Sequence, residues 1–252
     1  MEVAGHTYEL LVLLAVGESS KVYSAQRRGA MPLLATLKIS THAAAAMQYE
    51  KEAQALRSLQ ALQSQGAAYF SQRIPQVLGC GMVQNGADGQ AALVLRHTHG
   101  FWGSLEAVHL RQPQGIEARH AVWMLRRMLE VLGFIHAQAW CHSSVRPDHA
   151  LVHPGDHGVL LINWADAHAG ASVTEMAKDL QSAARVIRVL LCGDPAMNPL
   201  PHSVAGPIAE LVDLASQDLT FCQQHGAAGI DTLLKAAALK AYGPPQFVHF
   251  QP

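Results

Sequence analysis

Charge is scarce in this chain. Only 15% of its 252 residues are Asp, Glu, Lys or Arg, while half are hydrophobic. A disordered chain needs the opposite balance, so most of the length is expected to fold. Neither sign is in excess: 18 basic residues face 19 acidic ones, for a formal net charge of −1. With no basic surplus to neutralise phosphates, nucleic-acid binding by bulk electrostatics is not expected. Cysteine is sparse too. Cys80, Cys141, Cys192 and Cys222 stand far apart with no CxxC pair. That excludes a dense disulfide scaffold and points to a reducing, cytoplasmic setting. No apolar run reaches the ~20 residues of a membrane span. The opening MEVAGHTYELLVLLAVGESS is apolar in part, but Glu2 and Glu9 stand where a signal peptide carries basic residues. Internal repeats, low-complexity linkers and charge blocks are also missing.

What is present suits one large domain or two small lobes: 27.1 kDa with a mean hydropathy of +0.10. Strand-like runs cover Tyr8 to Val16, Lys21 to Gln26 and Pro32 to Ile39, with turns at Gly17-Glu18-Ser19-Ser20 and Gly29. Thr41 is an expected N-cap for a helix from His42 to Ser64, closed by Gln65-Gly66. Leu56 and Leu59 share a face of that helix. Two further strands, Gln76 to Val83 and Ala91 to His97, flank a loop marked by Asn85-Gly86 and Asp88-Gly89.

Helical pattern dominates after Gly103. Ser104 caps a short helix to about Leu110, broken by Pro113 and Gly115. Ile116 to Ala139 carries Val122, Leu125, Leu129, Leu132 and Ile135 at three- and four-residue spacing. A loop, Cys141 to His149, leads into a hairpin turning at Pro154-Gly155. Val173 to Cys192 is predicted helical, with Gly193 just past its end. Weaker helices run from Ala205 to Ser216 and Ile230 to Ala241, and Pro244-Pro245 closes the ordered part.

Several short motifs, in order, give the chain a resemblance to the protein kinase superfamily from about Tyr8 to Gly193. Ala15-Val16-Gly17-Glu18-Ser19-Ser20-Lys21-Val22-Tyr23 looks like the glycine-rich loop, with only its middle glycine kept as Gly17. Ala35-Thr36-Leu37-Lys38 resembles the strand that carries the phosphate-binding lysine, and Glu52 matches its glutamate partner. His142 to His149, followed by Ala150-Leu151-Val152, aligns without gaps to the catalytic-loop pattern HRDLKPEN. Leu161-Ile162-Asn163-Trp164-Ala165 matches the apolar lead-in and DFG, and Asp179 the buried aspartate that steadies the catalytic loop.

The resemblance implies an α+β, two-lobed protein-kinase-like fold. Its small lobe, 1–97, would be a five-stranded antiparallel sheet with one helix; its large lobe, 98–252, would be mostly helical. It implies nucleotide contacts at Gly17, Ser20, Val22, Lys38 and Leu151, with Glu52 holding Lys38. Leu56, His142 and Trp164 match the hydrophobic stack that links the lobes.

Three departures fall on the chemistry. Ser144 stands at the catalytic aspartate, and a hydroxyl is far too weak a base to take the acceptor's proton. His149 stands at one metal ligand and Asn163 at the other, so the charged oxygens that Mg²⁺ prefers are lost. Asp148 and Asp166 are the nearest carboxylates that a shifted loop would bring in. His149 and His153 would share a transition metal only if the chain bent them together, and a site needs three or four ligands. Only sixteen residues separate Asn163 from Asp179, with no APE motif, so the platform for a peptide substrate is not expected. The leading expectation is a pseudokinase that binds a protein partner, and ATP or another nucleotide without Mg²⁺, with little or no phosphotransfer and no metal of its own. The alternatives are an atypical ATP-dependent phosphotransferase or nucleotidyltransferase with a different ligand set, and a structural subunit of a larger assembly.

Overall fold

The computed structural model describes residues 1–17, 19–42, 44–84, 89–192 and 200–252. Glu18, the loop positions Asn85, Gly86 and Asp88, and Gly193 lie outside the described residues. Two compact units emerge: 1–99 together with 163–166, and 100–162 together with 167–252.

The first unit is built on one antiparallel sheet. Its strands are β1 (Glu2–Val3), β2 (His6–Val16), β3 (Ser20–Arg27) and β4 (Leu33–Ser40), then β5 (Val77–Met82) and β6 (Ala91–Arg96), in the order β1-β2-β3-β4-β6-β5. Between β4 and β5 lie α1 (Ala45–Gln60) and the short α2 (Ala67–Phe70). The expected five-stranded, kinase-like small lobe is therefore overturned. Six strands form a nearly closed, barrel-like sheet, and the extra strand is the N-terminal one. Ala4 and Gly5 both take positive φ, 50° and 75°. That two-residue turn folds Glu2–Val3 back onto His6–Thr7. Beyond β5, Glu2 and Gln84 exchange backbone hydrogen bonds at 3.3 and 2.8 Å, which brings the sheet's two edges together.

Strand alternation divides this sheet between two cores. Val3, Tyr8, Ala25, Ala35, Leu37, Ile39, Ala92 and Val94 form one cluster. Tyr49 and Ala53 of α1 pack with Ala91 and Leu93 in the other. Leu37 and Ile39 belong to the first, so Lys38 between them projects to the face that carries α1. That helix starts later and ends sooner than the sequence predicts. Its N-cap is Ala44 with no side-chain cap, not Thr41, and Gly66, at φ 85°, instead caps α2.

In the second unit the chain runs through β7 (Gly103–Ser104), α3 (Leu105–Arg111), α4 (Ala118–His136), β8 (Trp140–Cys141), β9 (Ala150–His153), β10 (Gly158–Leu161) and β11 (His168–Ala169). It ends with α5 (Val173–Cys192), α6 (Gly206–Gln217) and α7 (Leu219–Tyr242). Ser104 caps α3 as expected, accepting from the Ala107 N–H at 3.1 Å. Small sheets join β10-β9-β7 and β11-β8. Leu125, Leu129, Leu132 and Ile135 of α4 are buried. Two expectations fail at the C-terminus. Helix begins at Leu219, well before Ile230, but Gly226, at φ 58° and ψ −177°, is non-helical, so α7 is two helical pieces joined across a kink. Order also continues past Pro244-Pro245: Phe250 is buried against His120 and Trp123, and the His157 ring lies stacked between Trp123 and Phe247. Among the described residues no helix is long and apolar enough to cross a membrane.

Two expected outcomes concern this second unit. Gly115 has φ +94°, and a Cβ there would run into the Leu191 backbone carbonyl. Gly115→Ala is expected to cost about 3 kcal/mol, from backbone strain plus overpacking. Urea unfolding checks it, and an unchanged midpoint would refute it. The second outcome is pH dependence. Burial holds the His120 and His157 imidazoles below their ordinary 6.5. His120 Nδ1 accepts from the Trp123 indole N–H at 3.3 Å, a bond that protonation at Nδ1 removes. As pH falls, the unfolded chain protonates these rings before the folded one does. Their contribution is therefore whole above about pH 6.5 and is lost through the lower folded values. Melting temperature should drop between about pH 7 and about pH 5; His120→Gln should flatten the drop, and a wild-type profile flat over that range would contradict the argument.

Candidate functional site

Two side-chain constellations gather the positions singled out by the sequence. The first lies in the unit built on the large sheet. Lys38 projects from β4 and Glu52 from the inner face of α1. The Lys38 ammonium donates to Glu52 Oε2 at 2.9 Å and to Asn163 Oδ1 at 2.9 Å. An ammonium only donates, so it is the carbonyl oxygen of the Asn163 amide that faces it. Glu52 is 2% exposed, and its other oxygen accepts the Trp164 N–H at 3.1 Å. Both carboxylate oxygens therefore have donors, which a buried charge requires. Asn163 reaches this position at φ 64°, a left-handed conformation that asparagine tolerates better than most residues.

Tyr49, one helical turn before Glu52, completes the group. Its ring centroid lies 5.3 Å from Lys38 Nζ, and burial pushes its hydroxyl up to about 12, so it stays neutral beside the ion pair. The sequence reading did not single out Tyr49. Its i, i+3 spacing from Glu52 was the available signal.

A divalent cation does not fit this donor set. The Asn163 oxygen is neutral and faces an ammonium, and the Glu52 carboxylate is bound to Lys38 and Trp164. A metal brought there would meet a positive neighbour before it met a ligand.

Gly17 and Ser20 occupy the β2–β3 connection. The Gly17 N–H donates to the Ser20 carbonyl at 2.8 Å, so that amide serves the turn. Val22 follows in β3, directly across from Lys38 in β4.

The second constellation lies in the other unit. Buried Asp179, from α5, accepts the backbone N–H groups of His142 at 2.7 Å and Ser143 at 2.8 Å, and meets His136 Nε2 at 3.2 Å. One carboxylate thus fixes the start of the loop, with Ser143 held at φ 62°. Ser144 follows, its N–H donating to His142 Nδ1 at 3.2 Å. His149 Nδ1 lies 2.8 Å from the Ser144 carbonyl oxygen and 3.3 Å from the Ser144 hydroxyl. A carbonyl only accepts, so Nδ1 carries a hydrogen and cannot take one from Ser144. The row Ser144, His149, Asp148 therefore lacks the proton acceptor of a nucleophilic triad, although Asp148 Oδ2 is 3.4 Å from His149 Nε2. Asp148 is also paired to Arg146 at 3.0 and 3.2 Å.

Leu151 lies in β9 opposite Leu160 and Ser104. His153 turns to the Asp156 N–H at 3.0 Å and the Phe101 ring. Among the described residues no three His, Cys, Asp or Glu side chains gather to hold a metal. Cys141 touches Ser143 and His168, but it is fully buried and burial pushes its thiol up, away from reactivity.

Lys38→Met is expected to strand the Glu52 carboxylate with one donor fewer and to cost about 3 kcal/mol. Adding Glu52→Gln should restore much of that loss. Chemical denaturation of Lys38→Met, Glu52→Gln alone and the double variant measures the coupling. Additive effects would mean that the two side chains do not depend on each other.

No protein-family model matches this chain and no curated protein matches it, so the chemistry of these two constellations rests on their residues alone.

Proposed function

We propose that this chain is a regulatory binding module of the pseudokinase kind. It engages a protein partner, holds nucleotide phosphates through Lys38 without a divalent metal, and performs little or no phosphotransfer. The observation that carries this reading is the commitment of Lys38. Glu52 and Asn163 take two of the three ammonium N–H donors and so orient the third, which is the one a phosphate oxygen would accept. The group offers a point charge for binding and no acidic oxygen for a metal.

The loss of a base supports the same reading. Transfer of a phosphoryl group needs a residue that orients and deprotonates the acceptor. Ser144 has no basic side chain, and His149 presents Nδ1 as a donor to the Ser144 carbonyl. A missing general base costs about 10² to 10⁴ in rate. The low share of charged residues suits a chain with surface given to contacts.

Isothermal titration with ATP, in EDTA and then in Mg²⁺, tests the nucleotide half. Similar affinity in both is expected, and a strong rise with Mg²⁺ would overturn the metal argument. Purified protein incubated with γ-labelled ATP and a mixed protein substrate should transfer no label above background. Robust transfer that Lys38→Met abolishes would favour the atypical phosphotransferase instead.

A further inference from the structure

Strand β2 is apolar where a strand at this position is normally polar. On one side it pairs with β3 along its length. On the other, β1 covers only His6 and Thr7, and Met1 covers Tyr8 through two hydrogen bonds. From Leu10 to Val16 the described residues place no strand against that outer edge. The side chains there are also uncovered: Leu11 is 50% exposed, Val12 59%, Leu13 48%, Leu14 51% and Val16 65%. A half-buried strand alternates apolar with polar residues. This one has no polar residue from Leu10 to Gly17. Natural edges carry lysine, proline or an inward-pointing charge to keep other chains away. None of these occurs between Leu10 and Val16; the only such device there is a pair of register shifts against β3.

We propose that this edge pairs with the same edge of a second copy of the chain, antiparallel and about a two-fold axis near Leu13. Three observations select a second copy. The segment has no charge, so a two-fold arrangement sets apolar against apolar in every register and nothing is mismatched. The formal net charge is −1, so two copies do not repel each other at neutral pH. The area suits a weak pair. Five side chains about half exposed offer at most roughly 400–500 Å² per copy, of which an edge-on partner covers only part because they point to both faces; doubled, that lies below the range of stable interfaces and in that of transient ones. A pair of that size is reversible, with an occupancy that depends on concentration.

Two irregularities shape the pairing. The register with β3 shifts between Leu10 and Val12 and again between Leu13 and Ala15. Such bulges twist a strand and shorten the ladder it can offer. Side-chain burial therefore supplies most of the association, and main-chain bonds near Val12 and Leu13 set its direction. The inference does not depend on whether Lys38 meets a nucleotide.

Sedimentation equilibrium of the full chain, from about 1 to about 100 µM, tests it. A monomer–dimer equilibrium is expected, and Leu13→Lys should weaken the association roughly tenfold or more, since it faces two like charges across the axis. Wild-type hydrogen exchange gives a second readout that needs no variant: amide protection of residues 11–16 should rise with protein concentration. A monomer throughout the range would overturn the proposal. So would a dimer that Leu13→Lys leaves intact while exchange at residues 11–16 stays fast. Growth to open-ended species in place of a dimer would refute the closed two-fold pair.

Discussion

A buried carboxylate has to be satisfied at both oxygens, and Glu52 imposes that condition on the unit built around the large sheet. Its partners come from two separate stretches of chain: Lys38 from β4, and the returning segment, which supplies the Trp164 amide directly and Asn163 through Lys38. Removing any one leaves a charge in a medium that solvates it poorly. The strand alternation that sends Leu37 and Ile39 one way and Lys38 the other, and the helical periodicity that turns Tyr49, Glu52 and Leu56 inward, are both in register with this need. The segment 163–166 belongs to this unit for the same reason, although its neighbours in sequence belong to the other.

The second unit repeats the device with a different acid. Among the described residues, no lysine or arginine pairs with Asp179. Two backbone amides and the His136 ring supply its donors, and backbone donors hold a carboxylate well. What it organises is a loop conformation, not a reactive group. Around that rigid start, Ser144 and His149 satisfy each other through a carbonyl.

Much of this was legible in the residues. α5 runs between the two ends that its periodicity and flanking signals indicate, and Ser104 caps its helix because a hydroxyl at that position has an amide to accept from. The Lys38–Glu52 pair came from the resemblance and not from spacing, since a strand lysine and a helix glutamate are each common alone; the 2.9 Å contact bears the pairing out. Other features were hidden for physical reasons. β1 depends on an Ala4-Gly5 turn that lacks the asparagine or aspartate of a strong hairpin signal. The first half of α7 contains Gly226 and Gly229, which depress helix propensity, and Gly226 is itself the non-helical kink between two helical pieces, so that stretch carries no clean helical signal. The tail beyond Pro244-Pro245 looked like an ending because proline halts helices, but Phe250 is held by aromatic packing that needs no regular structure. The Asn163 contact with Lys38 depends on a left-handed φ that no spacing rule reports.

The near closure of the large sheet bears on how that unit folds. The β2, β3 and β4 hairpins join residues close in sequence and need little chain entropy to form. The last contact, between Glu2 and Gln84, has to wait for α1, α2 and both later strands to be in place, because its loop spans nearly the whole unit. Non-local pairings of that kind slow folding. Until the ring closes, both β1 and β5 present open edges. The nascent unit is therefore most vulnerable to mispairing at the step that completes it, and the two-residue turn at Ala4-Gly5 covers only the His6–Thr7 end of β2 in the meantime.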